Sequence, residues 1–269
     1  MEVEDIGMAI LLKPLQNTTE LGEADIAKAQ VMYWEILTKT NMVPRGVWDA
    51  EDPSNIRYRE VDPSYIEIAG FFLSGGTLEG FMKHGLGVIT VVNASECVKL
   101  LISFPGQVLP WHAHISVAVA PKGFQIPDGH LDLHEIISGF QGDPEYGPDA
   151  VYFVPGDFLE RADFELKPGW KEQGVVCIRG KEETFTVFAG LLEVYGPGEG
   201  IPAEEMPEGH RQFETQRLFE LHPGDSYHLP CNRPHLAIGG PDGCVFLESS
   251  TSSRDWFDYF FNKEISRFK

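Results

Sequence analysis

Positive charge is scarce in this sequence. Its 269 residues hold 21 Lys and Arg against 41 Asp and Glu, a formal net charge of −20. Phosphate backbones and anionic lipid repel such a chain. Nucleic acid and membrane surfaces therefore drop out as partners, and neutral small molecules and metal cations move up. Cysteine is sparse too: Cys97, Cys177, Cys231 and Cys244 contain no CxxC pair. No disulfide framework is expected in so long a chain, and reduced thiols are the default. Long apolar runs are missing, since none reaches the ~20 residues of a membrane span. Met1 to Lys13 puts acidic residues before a short apolar run, the wrong order for a secretion signal. Without such a signal the N-x-S/T triplets at Asn17 and Asn93 carry little weight. The expectation is a soluble, cytoplasmic protein.

What is present is ordinary globular composition, 42% hydrophobic and 23% charged. Residues Glu20 to Asn41 carry Ile26, Ala29, Tyr33, Ile36 and Leu37 at three- and four-residue spacing, which predicts a helix, with Pro44 as its stop. From Tyr65 onward, short β-branched and aromatic runs alternate with Gly, Pro and Asp. Examples are Gly87–Val92, Val98–Phe104, Ile115–Ala120, Thr184–Val187, Leu191–Val194 and Cys244–Leu247. Many short strands with regular turn signals predict an antiparallel sandwich or jelly roll. No helix-strand rhythm supports a Rossmann fold or TIM barrel. The Gly196, Gly198, Gly200 cluster is not followed by the Lys or the strand-to-helix switch of a phosphate loop.

Three patches carry the chemistry. The first runs from Gly106 to His112-Ala-His114; two histidines two apart on a strand share a face and can reach one cation. The second starts at Lys181-Glu-Glu183 and continues as a strand to Gly190. The third is Pro223-Gly-Asp through Pro230 to His235.

Together these resemble the two motifs of the cupin superfamily, G-x5-H-x-H with a later E-x6-G, and P-G-D-x4-P-x4-H. The resemblance implies a mainly β, jelly-roll barrel that binds a metal through His112, His114, Glu183 and His235. One departure stands out: cupins place the glutamate a few residues after the second histidine, and Glu183 is 69 residues beyond His114. The intervening excursion must carry strands of its own. It also contains a rival carboxylate in His130-Leu-Asp132-Leu-His134-Glu135, which fits the family pattern less well than Lys-x-Glu. The organisation expected is an N-terminal helix and connector over 1–64, a barrel over 65–250 with an insertion at about 122–180, and a C-terminal segment over 251–269.

With the flanks included, from Gly70-Phe-Phe-Leu-Ser-Gly-Gly to Leu247-Glu248-Ser-Ser-Thr-Ser-Ser-Arg254-Asp255, the sequence is similar to the D-lyxose isomerase family of cupin-type aldose-ketose isomerases. That likeness implies a small sugar substrate, a divalent metal such as Mn, and a homodimer. It also implies Glu248 as the base that moves a proton between C1 and C2, Lys181 as a cation beside the enediolate oxygen, and Lys181, Arg254 and Asp255 as substrate contacts. Mixed nitrogen and oxygen donors equally suit Fe, Co, Ni or Zn. Three histidines and a glutamate also fit a cupin dioxygenase using Fe or Cu, and a non-catalytic sugar-binding cupin is the third reading. Lys181 and Glu248 favour proton chemistry over oxygen activation.

Overall fold

A computed structural model describes residues 21–44, 47–49, 57–59, 61–71, 76–93, 95–137, 140, 142–159, 161, 164–198, 200, 205–207, 216–254, 257–262 and 265. The chain opens with helix α1 (Glu23–Lys39), then β1 (Val47–Asp49), β2 (Arg57–Arg59), β3 (Glu67–Gly70) and α2 (Leu78–Lys83). Next come β4 (Gly85–Asn93), β5 (Glu96–Ser103), β6 (Val108–His114) and β7 (Val117–Ala120). After β8 (His130–Asp132), α3 (Leu133–Ile136), β9 (Val151–Pro155) and β10 (Val176–Ile178), the long strands begin: β11 (Glu183–Pro197), β12 (Gln216–Leu221), β13 (Ser226–Leu229), β14 (His235–Thr251) and β15 (Asp258–Phe260).

The main sheet has nine strands on the path β12-β11-β14-β5-β4-β3, with β13 on β11, β6 on β14 and β15 on β6. Every strand pair described is antiparallel. Strand β14 turns the sheet into a roll. Its second half, Cys244 to Thr251, pairs with β5, and its first half pairs His235 with His112 of β6. Strand β11 follows β14 along both halves, with register shifts between Val187 and Ala189 and between Gly190 and Leu192. This is the jelly-roll barrel of cupin type.

Thr184–Val187 and Leu191–Val194 read as two strands in the sequence but form one. Gly190 (φ +78°) is not a turn: a Cβ there would lie 2.1 Å from the Gly243 carbonyl oxygen, so glycine lets the bulged strands touch.

Period-two alternation divides the strands between two cores. Leu101, Val88, Phe185 and Phe246 fill the roll. Leu100, Ile102, Ile89 and Val245 point outward, under the helix. Helix α1 buries Ala29, Tyr33 and Leu37, four residues apart, against that outer face. Glu23 and Asp25 in its first turn and Lys39 in its last complement its dipole. The Tyr33 ring stacks on Phe104 at 4.0 Å, and its hydroxyl donates to Gln107 Oε1 at 2.8 Å. No helix among the described residues is long and apolar enough to cross a membrane.

The excursion forms a second sheet in the order β10-β7-β9-β8. It starts at Val117 rather than at the expected Lys122, because the chain is turned out of the barrel directly after His114. The Asn232 amide donates to the His114 carbonyl at 2.9 Å, and the Ser116 amide donates to Asn232 Oδ1 at 2.6 Å. The chain returns at the same point. The Gly180 amide donates to Ser116 Oγ at 2.8 Å, and β11 starts three residues later. Strands β7 to β10 therefore leave and re-enter the barrel through a single neck. The C-terminal segment also comes back to the barrel, as β15 on β6 in the register Asp258–His114 and Phe260–His112.

Candidate metal centre

The neck explains how a glutamate 69 residues away reaches the histidines. His114 closes β6 on one side of the neck, and Glu183 opens β11 on the other. His112 and His114 share the inward face of β6, with Trp111 and Ala113 buried on the opposite face. His235 stands across from His112 on β14. The Pro223-Gly-Asp turn and β13, paired to β11, hold the approach to it.

His112, His114, Glu183 and His235 each present one ligand atom, and these four atoms all lie within 4.8 Å of one another. All four side chains are buried, none more than 3% exposed. The rings pack at centroid distances of 4.8 Å for His112–His114, 4.1 Å for His112–His235 and 5.2 Å for His114–His235. The rival Glu135 is exposed on α3 with His134, outside this group.

The outer nitrogens fix the tautomers. His112 Nδ1 lies 2.8 Å from the Pro110 carbonyl and His235 Nδ1 lies 3.0 Å from the Arg233 carbonyl. A carbonyl oxygen only accepts, so both Nδ1 atoms carry the proton. His114 Nδ1 bonds to Asp258 Oδ1. The three Nε2 atoms are thereby turned inward.

Two of these nitrogens crowd one oxygen: His114 Nε2 is 3.2 Å and His235 Nε2 is 2.9 Å from Glu183 Oε1. The latter contact lacks hydrogen-bond geometry, and His235 Nε2 is a buried atom with no hydrogen-bond partner. Converging lone pairs around a carboxylate oxygen are the donor set a divalent cation satisfies. The residues present thus fit a metal.

Electrostatics agree. Burial, then the neighbouring imidazoles of His235 and His114, hold His112 well below its ordinary value, so it stays neutral. Burial and Lys181 would lower His114, but the Asp258 and Glu183 carboxylates outweigh them and raise it. Burial would raise Glu183, yet Lys181 and His114 hold it well below the usual carboxylate range. Lys181 is kept charged: Glu183, Glu248 and Asp258 overcome the effect of burial.

Lys181 Nζ bridges two carboxylates, 2.8 Å from Glu183 Oε2 and 3.0 Å from Glu248 Oε1. Ser250 Oγ donates to the same Glu248 oxygen at 3.1 Å. Lys99, the cross-strand partner of Glu248, places its Nζ 3.8 Å away and donates to Ser253 Oγ at 3.1 Å. A cavity of about 50 Å³ lies among these groups, walled by Phe71, Val88 and Phe260 on its apolar side.

Arg254 is placed elsewhere. Its Nε bonds Asp143 Oδ2 at 3.0 Å, and it lines an outer groove of about 400 Å³ with Tyr146, Cys177 and Glu182. Asp255 lies outside the described residues. His228 is exposed and bonds Thr184 Oγ1 at 3.1 Å. Two participants escaped the sequence reading. Lys99 shows itself only through the β5–β14 register, and Asp258 only through the pairing of β15 with β6.

No family model matches the chain. A D-lyxose/D-mannose isomerase from Thermosediminibacter oceani is 26% identical over 234 residues, covering 86% of this chain and 94% of that one. The chain resembles D-lyxose isomerases. A D-lyxose ketol-isomerase from Cohnella laeviribosi extends the resemblance, at 25% identity over 206 residues, 75% of this chain and 79% of that one. Among solved structures, an L-ribose isomerase from Cellulomonas parahominis with L-psicose overlays 91% of this chain and 94% of that one, with 13% identity and a TM-score of 0.46.

Proposed function

We propose that the protein is a metal-dependent aldose-ketose isomerase acting on a small free sugar of the D-lyxose type. The observation that carries this reading is the join between two clusters. Three inward-facing Nε2 atoms and Glu183 could hold an ion, and Glu183 is tied through Lys181 to a second buried carboxylate, Glu248. The sequence likeness to D-lyxose isomerases supports it independently.

His112, His114, Glu183 and His235 would hold the cation. Manganese is our first choice, and Fe, Co, Ni and Zn share the donor preference. When bound, the cation supplies Lewis-acid polarisation of the sugar carbonyl and a template for neighbouring oxygens.

The remaining work falls to the chain's own groups. Glu248 takes the C2 proton of the aldose and returns it to C1, while the hydroxyl proton passes from O2 to O1. Lys181, 3.0 Å from Glu248 Oε1, offsets the negative charge that develops on the sugar oxygen. Phe71, Val88 and Phe260 keep the opposite wall dry.

The test is a screen of free pentoses and hexoses under anaerobic conditions with added Mn2+, using the wild type and Glu248→Gln. Isomerisation without oxygen by the wild type, with turnover lost and metal retained in Glu248→Gln, is the expected result. Turnover that requires oxygen would overturn the isomerase reading. Full activity in Glu248→Gln would overturn the base assignment.

A further inference from the structure

The three imidazoles are not supported alike. His112 and His235 each donate Nδ1–H to a main-chain carbonyl two residues earlier, at Pro110 and Arg233. Those partners are neutral and belong to the same stretch of barrel. His114 instead faces the carboxylate of Asp258, 144 residues away on β15. Asp258 is 8% exposed, and no motif patch contains it. A buried carboxylate is costly unless a cationic group compensates it.

The same short strand makes a second contact. Phe260 stacks on His112, with centroids 5.5 Å apart and planes 24° from parallel, and packs on Phe71 at 5.4 Å. The main-chain bonds flanking β15 also go to the histidine strand and its exit: the Ile115 amide donates to the Phe257 carbonyl at 3.1 Å, and the Phe261 amide donates to the Trp111 carbonyl at 3.2 Å. Among the described residues of the main sheet, β15 pairs with β6 alone.

We propose that Asp258 is a positioning residue of the metal centre, and that through it metal occupancy and the docking of the C-terminal strand are linked. Asp258 holds the His114 ring with Nε2 inward and strengthens it as a donor, as carboxylates behind metal-bound imidazoles do. Linkage is reciprocal: if a docked β15 tightens the ion, the ion tightens β15 by the same factor. This rests on the metal-centre part of the proposed function and is independent of the sugar chemistry.

The experiment is a Mn2+ titration of metal-stripped wild type, Asp258→Asn and Asp258→Ala, in competition with a chelating dye. Asp258→Ala should bind Mn2+ about 10- to 100-fold more weakly. Asp258→Asn, which keeps the shape and the acceptor oxygen but not the charge, should fall in between. Hydrogen exchange supplies a readout that a purely structural residue would not move. In the wild type Mn2+ should slow exchange of the Phe261 amide, and in Asp258→Ala that slowing should shrink. Thermal unfolding of the stripped variants confirms that they are folded, and Asp258→Asn carries the test should Asp258→Ala not be. Wild-type affinity in folded variants, or equal slowing of Phe261 with and without the carboxylate, overturns the proposal. A wild type that binds no Mn2+ overturns the metal-centre reading beneath it.

Discussion

Gly180 lies against the main chain of His114 so closely that a Cβ on Gly180 would stand 2.2 Å from the His114 carbonyl oxygen. The contact is backbone on backbone, so no side chain can turn aside to relieve it. The returning chain and the last residue of the histidine strand are locked together there. Glu183 begins β11 three residues beyond that lock.

Gly180→Ala should therefore damage the centre without touching any of its side chains. Forcing a methyl into this gap costs about 1–3 kcal/mol by the usual scale of overpacking. Moving β11 away from β6 also carries Glu183 away from His114. Urea unfolding should show a lower midpoint at unchanged m-value, and Mn2+ affinity should fall in parallel. A variant with wild-type stability and affinity would show that the neck is slack.

Metal removal should be visible as stability. A ligand that binds only the folded state stabilises it by RT ln(1 + [L]/Kd), about 4 kcal/mol at a thousandfold excess over Kd. Mn2+ should raise the melting temperature of the wild type and EDTA should reverse it. In His235→Ala both additions should leave the midpoint where it is, because one of the four donors that meet within 4.8 Å is gone. A Mn2+ shift that survives in His235→Ala would place the bound ion somewhere else.

The grouping of His112, His114, Glu183 and His235 was legible in the sequence because together they match the two cupin motifs, and the structure brings the four together. Period two puts His112 and His114 on one face, and the Pro223-Gly-Asp turn announces the strand pair leading to His235. Glu183 could be picked out by Lys-x-Glu before a strand, though only the neck at Ser116 and Gly180 explains why 69 residues of separation do no harm. Asp258 left no such mark. It is one aspartate in a short strand near the end of the chain, and its meaning comes from a pairing register that sequence periodicity does not encode. Arg254 was legible as a charged residue after the last motif but not as the partner of Asp143, which sits in the excursion. The Ile115–Ala120 run was legible as a strand, but the sheet that holds it depends on the exit at Ser116.

Alkaline pH should weaken the fold through the thiol of Cys244. Burial pushes it from the ordinary 9.0 up to about 12. A value raised in the folded state means that the unfolded chain gives up its proton first. The stabilising contribution is complete below pH 9 and is lost as pH climbs towards 12, amounting to about 4 kcal/mol at most. Stability of the wild type measured by urea at pH 8, 9, 10 and 11 should fall more steeply than that of Cys244→Ala. Parallel curves would show that the thiol ionises freely in the native barrel.

The narrow neck at Ser116 and Gly180 has one more consequence. Four strands and a short helix enter and leave through one joint, yet they fold back onto the roll: Val117, Leu133, Phe140, Tyr152 and Val154 share one buried cluster with Trp111, Ala113, Leu236 and Phe257. The second sheet thus floors the strand that carries His112 and His114, and excising it at the joint would uncover Trp111 and Ala113 and loosen the histidines in front of them.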